Sequence, residues 1–176
     1  VYIMGSRHDY KKLSKNRIIL IKIAVFTTTR AEFGLFSPLL NQIEKDNHFE
    51  YALFVGGTHL KKEYGRTLGE IEEKGYQITA TFDYLTEDKT ATGLTESLAR
   101  ETEQLNAIFQ KNAFDYVCVL GDRYELLPII QAAIIYRKPI IHIHGGEATQ
   151  GAIDEQIRHM ITKAAHIHFA SCEEYA

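Results

Sequence analysis

An α/β fold with a doubly wound, mostly parallel Rossmann-like sheet is predicted by three observations. Apolar, β-branched runs alternate with amphipathic segments along the chain. Some of these runs are continuously apolar, as strands covered on both faces are. No internal repeat, low-complexity tract or linker interrupts the alternation. Strands that alternate with helices pair in parallel, and right-handed crossovers wind them into a doubly covered sheet.

The elements follow in order. "IILIKIAVFT" (18–27) is a long apolar strand, and "SPLLNQIEK" (37–45) has helical apolar spacing with Pro38 near its start, where proline is tolerated. "YALFVGG" (51–57) is a strand ending in glycines, and 62–75 reads as a helix stopped by Gly75. "YQITATFD" (76–83) alternates like a strand. Residues 90–112 form a long amphipathic helix with Leu94, Leu98, Leu105, Ile108 and Phe109 on one face. "DYVCVLGD" (115–122) is a continuous apolar strand. The mostly apolar helix 124–138 must either kink at Pro128 or hold it in its first turn. "PIIHIHGG" (139–146) is a strand, 152–166 a helix with Ile153, Ile157, Met160, Ile161 and Ala164 as its buried stripe, and "IHFAS" (167–171) a last strand.

Residues 1–17 carry mixed charge without periodicity and read as a leader or tag; 18–176 form the domain. The 176 residues suffice for one core, with 45% hydrophobic and 24% charged residues. A net charge of −3 gives no basic surplus for nucleic acid, so any positive site is local. No apolar run reaches the roughly 18 residues of a membrane span, and no secretory signal is recognised. Two cysteines, Cys118 in an apolar run and Cys172 near the end, fit a reducing cytoplasm.

Sheets of this kind place ligands beyond the carboxyl ends of their strands, which directs attention to four turns. "FTTTRAEFG" (26–34) offers three threonine hydroxyls, Arg30 and a helix N-terminus to an anion, although a capped turn with a solvated arginine fits equally; its glycine spacing is neither a dinucleotide fingerprint nor a P-loop. "VGGTHL" (55–60) permits close backbone approach before His59, a site residue or surface decoration. In "VLGDRYE" (119–125), Asp122 is the first charge beyond the strand, available as a helix cap or as an acid, base or hydroxyl acceptor. "HIHGGEATQGAIDEQIRH" (142–159) is dense in ionisable groups. His142 and His144 share strand parity and so one face; Asp154 and Arg158, four apart, are close enough to pair. His142, His144 and Glu147 make only a weak metal pattern, and no metal or other cofactor is expected.

"GDRYE" (121–125) followed by "HIHGGEATQGAIDEQIRHMITKAAHIHFASCEEY" (142–175) closely resembles the hydrolysing UDP-N-acetylglucosamine 2-epimerases, which open bacterial sialic acid synthesis. "TTRAEFG" and "GGTHL" resemble that family's first two active-site loops in the same order, and the likeness runs from about Ile18 to Ala176. The non-hydrolysing epimerases are similar more distantly. The resemblance implies the N-terminal half of a two-domain GT-B fold, with the nucleotide sugar bound between halves, so that this half alone is expected to be nearly inactive. It implies conversion of UDP-N-acetylglucosamine and water to N-acetylmannosamine and UDP by elimination through a glycal and rehydration. A homo-oligomer is expected of the full-length protein.

By the same resemblance Asp122 matches an acidic residue, Arg123 an arginine beside the phosphates, Arg30 an arginine touching UDP, and His59 a histidine near the sugar. Asp154 matches the acid before the helix arginine, Arg158. Some relatives carry glutamate where this chain has His144, so Glu147 or His144 itself takes that place. The expected acid–base set is Asp122, Glu147 and Asp154, with His144 assisting. Three alternatives stand: a GT-B glycosyltransferase half, an epimerase for a UDP-diacetamido-trideoxy sugar, and a nucleotide-binding domain without turnover. Product analysis separates them.

Overall fold

A computed structural model describes residues 20–147 and 153–175. The expected leader lies outside them. The chain runs β1 (Ile21–Thr27), α1 (Arg30–Ile43), β2 (Phe49–Gly56), α2 (Leu68–Glu73), β3 (Ile78–Phe82), α3 (Ala91–Lys111), β4 (Tyr116–Leu120), α4 (Leu126–Ile135), β5 (Ile140–Ile143), α5 (Asp154–Ala164) and β6 (Ile167–Phe169). The sheet order is β3-β2-β1-β4-β5-β6, and every neighbouring pair is parallel. The expected fold class is borne out. The chain steps from β1 out to β3, then crosses back to β4 beside β1. That reversal leaves a crevice at the carboxyl ends of β1 and β4, where parallel sheets collect ligands.

Side-chain alternation divides the core in two. On one face Ala24, Phe26, Phe54 and Phe82 meet Leu105, Ile129 and Ile161 of α3, α4 and α5. On the other, Val25, Leu53 and Val55 meet Phe36, Leu40 and Ile71 of α1 and α2. Two covered faces explain the unbroken apolar runs of β1 and β2. Phe26 stacks on Phe54 at 4.8 Å between ring centroids and lies 6.0 Å from Phe109, so the sheet and α3 are joined through one aromatic cluster.

Helix boundaries depart from the sequence reading for identifiable reasons. Helix α1 begins at Arg30, seven residues before the expected start, because Thr29 and Glu32 form a capping box. Pro38 therefore lies inside the helix; the carbonyl of Gly34, which loses an amide partner to the proline, accepts from the Ser37 hydroxyl at 3.1 Å. The segment expected as one helix over 62–75 opens instead with a 3₁₀ turn, Lys62–Tyr64, which follows another at Gly57–Leu60 and precedes the short α2. Gly65 and Arg66 both adopt positive φ there, which no helix tolerates. Pro128 falls in the first turn of α4. In α3 the buried stripe toward the N-terminus is Gly93, Ser97 and Glu101, while Leu94 and Leu98 are half-buried. In α5 Ile157 and Ile161 are buried as expected, yet Ile153 and Met160 are exposed and Arg158 is buried.

Truncating Phe26 removes the ring shared by three aromatic contacts. Phe26→Ala is expected to lower the unfolding free energy of the domain by about 3–5 kcal/mol, read as a shift of the urea-denaturation midpoint.

Candidate active site

Four strand ends carry the site. Beyond β4, Gly121 takes φ +83° and turns the chain so that Asp122 faces α5. Beyond β5, His144 adopts φ +60°, a strained conformation for a residue with a Cβ. The strand has ended at Ile143, so the expected parity of His142 and His144 does not hold. His142 turns inward and is fully buried, its Nε2 2.7 Å from the Gly121 carbonyl oxygen and its Nδ1 3.3 Å from the Thr162 hydroxyl. His144 turns outward, with Nδ1 2.7 Å from Glu147 Oε1.

The centre of the arrangement is Arg158, whose side chain is only 9% exposed. Its guanidinium donates to Asp122 Oδ2, to Glu147 Oε2 at 2.9 Å and to the His144 carbonyl at 2.8 Å. One cation thus joins the turns after β4 and β5 to α5. The Ser171 hydroxyl, His144 and Arg158 together hold the Glu147 carboxyl down to about 2. Asp154, half-buried at the start of α5, does not form the expected ion pair with Arg158, which turns across to the neighbouring loops instead.

A second charged group lies nearer β1. Arg123 donates to Glu125 at 2.5 Å, and its Nε lies 3.9 Å from Glu32 Oε1. The other oxygen of Glu32 accepts from the Thr28 amide at 2.7 Å, the Thr29 amide at 3.0 Å and the Thr28 hydroxyl at 3.0 Å. A cavity of about 520 Å³ opens beside this group, lined by Thr29, Arg30, Lys61, Arg123 and Tyr124 among others. Arg30, 74% exposed, stands at its rim and pairs with Glu70 at 3.1 Å. His59 is fully buried, between the Thr67 hydroxyl at 2.6 Å on Nδ1 and the Thr27 hydroxyl at 3.1 Å on Nε2. Burial pushes its imidazole down to about 4, so it is a neutral tie between β1 and the turn before α2.

The structure therefore brings Asp122, His144, Glu147 and Arg158 into one network and sets Arg30 and Arg123 on a cavity along the same edge. His59 lies beneath that edge, and Asp154 stays outside the Arg158 network. Sequence reasoning missed Glu32, Glu101 and Glu125, and it placed His142 on the wrong footing, as a residue sharing a face with His144 and not as a buried link to Gly121. Glu101 carried a readable signal, since it lies four residues from Leu105 on the buried stripe of α3. Among the described residues no group of three or more His, Cys, Asp and Glu side chains is arranged to hold a metal ion.

A family model described as UDP-N-acetylglucosamine 2-epimerase matches residues 41–176. The polysialic acid biosynthesis protein P7 of Escherichia coli is 37% identical over 154 residues, which is 88% of this chain and 39% of that protein. The GDP/UDP-N,N'-diacetylbacillosamine 2-epimerase (hydrolyzing) of Campylobacter jejuni is 36% identical over 154 residues, 88% of this chain and 40% of that protein. The crystal structure of the Neisseria meningitidis UDP-GlcNAc 2-epimerase bound to UDP-GlcNAc shares the fold, with a TM-score of 0.74 at 19% identity over 88% of this chain and 41% of that one. Fold and matches together define an epimerase-type Rossmann-like domain. The chain belongs to the UDP-N-acetylglucosamine 2-epimerase family, and it spans about 40% of the length of these relatives.

The low position of the Glu147 carboxyl has a consequence for stability. A carboxyl held below its ordinary value of 4.5 contributes stability above that value and loses it as pH falls toward about 2. Glu147→Gln is therefore expected to be less stable than the wild type at neutral pH. The gap should close between pH 4.5 and about 2, as read from urea unfolding across that range.

Proposed function

We propose that the full-length protein is a hydrolysing epimerase. It converts UDP-N-acetylglucosamine and water to N-acetylmannosamine and UDP. The observation that carries this reading is the convergence of Asp122, Glu147 and His144 on Arg158 at the carboxyl ends of β4 and β5. In the reaction a base removes the proton at sugar carbon 2 while the bond from carbon 1 to the UDP oxygen breaks, leaving a glycal. Water then adds hydroxyl at carbon 1, and a proton returns at carbon 2 on the opposite face. Such exchange needs carboxylates on two sides of the ring.

The geometry supports a division of labour. Glu147, held near 2, is a weak proton acceptor at neutral pH and suits orientation of His144 and charge stabilisation. Asp122 and Asp154 are then the candidates for proton removal and return. Arg123 and Arg30, on the cavity wall, meet the diphosphate as negative charge builds on the leaving group. His59 and Arg158 act through the loops they hold. No cofactor is needed for this chemistry.

A second substrate has specific support. The Campylobacter relative and one from Legionella pneumophila, 32% identical, are both named as hydrolysing epimerases of a diacetylbacillosamine nucleotide. A UDP-diacetamido-trideoxy sugar is therefore the alternative substrate; no observation favours a glycosyltransferase or a sensor without turnover. The protein works in the cytoplasm, where nucleotide sugars are made, and assembles as a homo-oligomer. No helix among the described residues is long and apolar enough to cross a membrane.

The test is product analysis by NMR on the full-length protein with both UDP-sugars. Free N-acetylmannosamine and UDP are expected from UDP-N-acetylglucosamine. Asp122→Asn is expected to lower kcat by about 10²-fold or more, the usual range for loss of a proton-transfer group. A glycosylated acceptor in place of free sugar, or full activity in that variant, overturns the assignment.

A further inference from the structure

Arg123 lies on the turn between β4 and α4, where a long side chain has many rotamers open to it. Its guanidinium is nevertheless held along one edge. Nη2 donates to Glu125 Oε1 at 2.5 Å, and Nε, buried and without a hydrogen bond, lies 3.9 Å from Glu32 Oε1. Both acids are buried, while the arginine side chain is 41% exposed. Burial by itself would lower the guanidinium. The hydrogen bond to Glu125 and the charges of Glu125 and Glu32 outweigh it and raise Arg123 above its ordinary value, so the side chain stays cationic.

The two acids differ in what else they hold. Glu32 completes the capping box of α1, and its other oxygen accepts three hydrogen bonds from Thr28 and Thr29. Its 3.9 Å approach to Nε is attraction without a directed bond. Glu125 occupies the N-cap position of α4, where a side-chain oxygen commonly accepts from the helix amides. It makes no such bond, and its side chain turns back two residues to Arg123 instead. The remaining nitrogen, Nη1, donates to no protein group among the described residues, and Arg123 is one of the residues that line the cavity of about 520 Å³.

We propose that Glu125 is a positioning residue for Arg123: its carboxylate oxygen fixes the Nη2 edge of the guanidinium, and Nη1 is thereby presented to an anion in the cavity. Resting on the proposed function, that anion is the diphosphate of the nucleotide sugar. A planar fork held at one edge points its other donors at a fixed angle. A donor fixed before the ligand arrives needs no reorganisation as charge builds on the leaving group. The role is one of reach, since the negative charge of Glu125 itself opposes an anion.

The experiment uses the full-length protein, with UDP as the probe in titration calorimetry and two pairs matched in charge. Wild type and Glu125→Asp are both charged, but aspartate withdraws the acceptor by one methylene. Glu125→Gln and Glu125→Leu are both neutral, but only glutamine keeps an acceptor at the same reach. UDP affinity is expected to fall about threefold from wild type to Glu125→Asp and about tenfold from Glu125→Gln to Glu125→Leu, the range of one hydrogen bond to a charged group. In an Arg123→Ala background both differences are expected to vanish. Crystal structures of Glu125→Asp and Glu125→Leu are expected to show the Arg123 guanidinium displaced.

An unmoved Arg123 in these variants would overturn the proposal whatever UDP does. So would differences within the pairs that persist without Arg123, because Glu125 would then act by another route. If Glu125→Leu does not fold, wild type against Glu125→Asp decides. If Arg123 moves while UDP affinity stays equal within each pair, the positioning role stands and the reading of Arg123 as a diphosphate ligand fails.

Discussion

The candidate site depends on one buried cation. Arg158 sits on α5, yet its contacts lie on other elements: Asp122 after β4, and Glu147 and the His144 carbonyl after β5. Loops at the end of a parallel sheet have no ladder to hold them, so their conformation must come from elsewhere. Here a single guanidinium supplies directed hydrogen bonds, three of them to these described residues, across a gap that sheet pairing has ceased to bridge. The planar fork of arginine suits this role, because it can hold two carboxylates at fixed angles while a lysine ammonium cannot. Exposed ion pairs contribute about 0–1 kcal/mol. A buried cation with its acids in place is different, since removing either side leaves an uncompensated charge.

Around that cation the protein uses neutral groups as struts. His142 links the Gly121 turn to α5 through Thr162, and His59 links β1 to the turn before α2 through Thr27 and Thr67. Burial holds both imidazoles below their ordinary range. Neutral struts add rigidity without adding charge, so the field at the strand ends is set by few groups: the Arg158 network on one side and Arg123 with its glutamates on the other. Separating the two allows a carboxylate-rich region and an arginine-lined cavity to lie along one edge without cancelling.

The strands were legible because burial on both faces leaves a plain signature, a run of apolar residues such as "IAVF" or "YVCVL". The site loops were legible as places rich in ionisable groups, and Asp122, Glu147 and His144 do meet. What failed was inference by local spacing. Asp154 and Arg158 have the separation of a helical ion pair, but such a pair gives only about 0.2–0.5 kcal/mol. Two carboxylates on adjacent loops outcompete it. His142 and His144 have strand parity, but parity matters only while the strand lasts, and the positive φ of His144 ends it. Helix α1 began early because a threonine cap outweighs the usual preference for proline near a helix start.

The buried glutamates belong to the same class of failure. A carboxylate on a helix is read as a solvated face, and nothing local marks Glu101 as interior except its register with Ser97 and Leu105. Its burial is a property of three segments meeting. Gly57, in the left-handed region at φ +59°, brings its backbone so close that a Cβ would lie 2.7 Å from both the Thr28 carbonyl and the Tyr84 hydroxyl. That approach packs the turn after β2 against the first loop and against Tyr84. A threonine after β1, a glycine in β2's turn and a tyrosine after β3 thus form one local constraint, although they lie far apart in sequence. Parallel strands join segments distant in sequence at one edge, and the chemistry assembled there follows from that topology more than from any single motif.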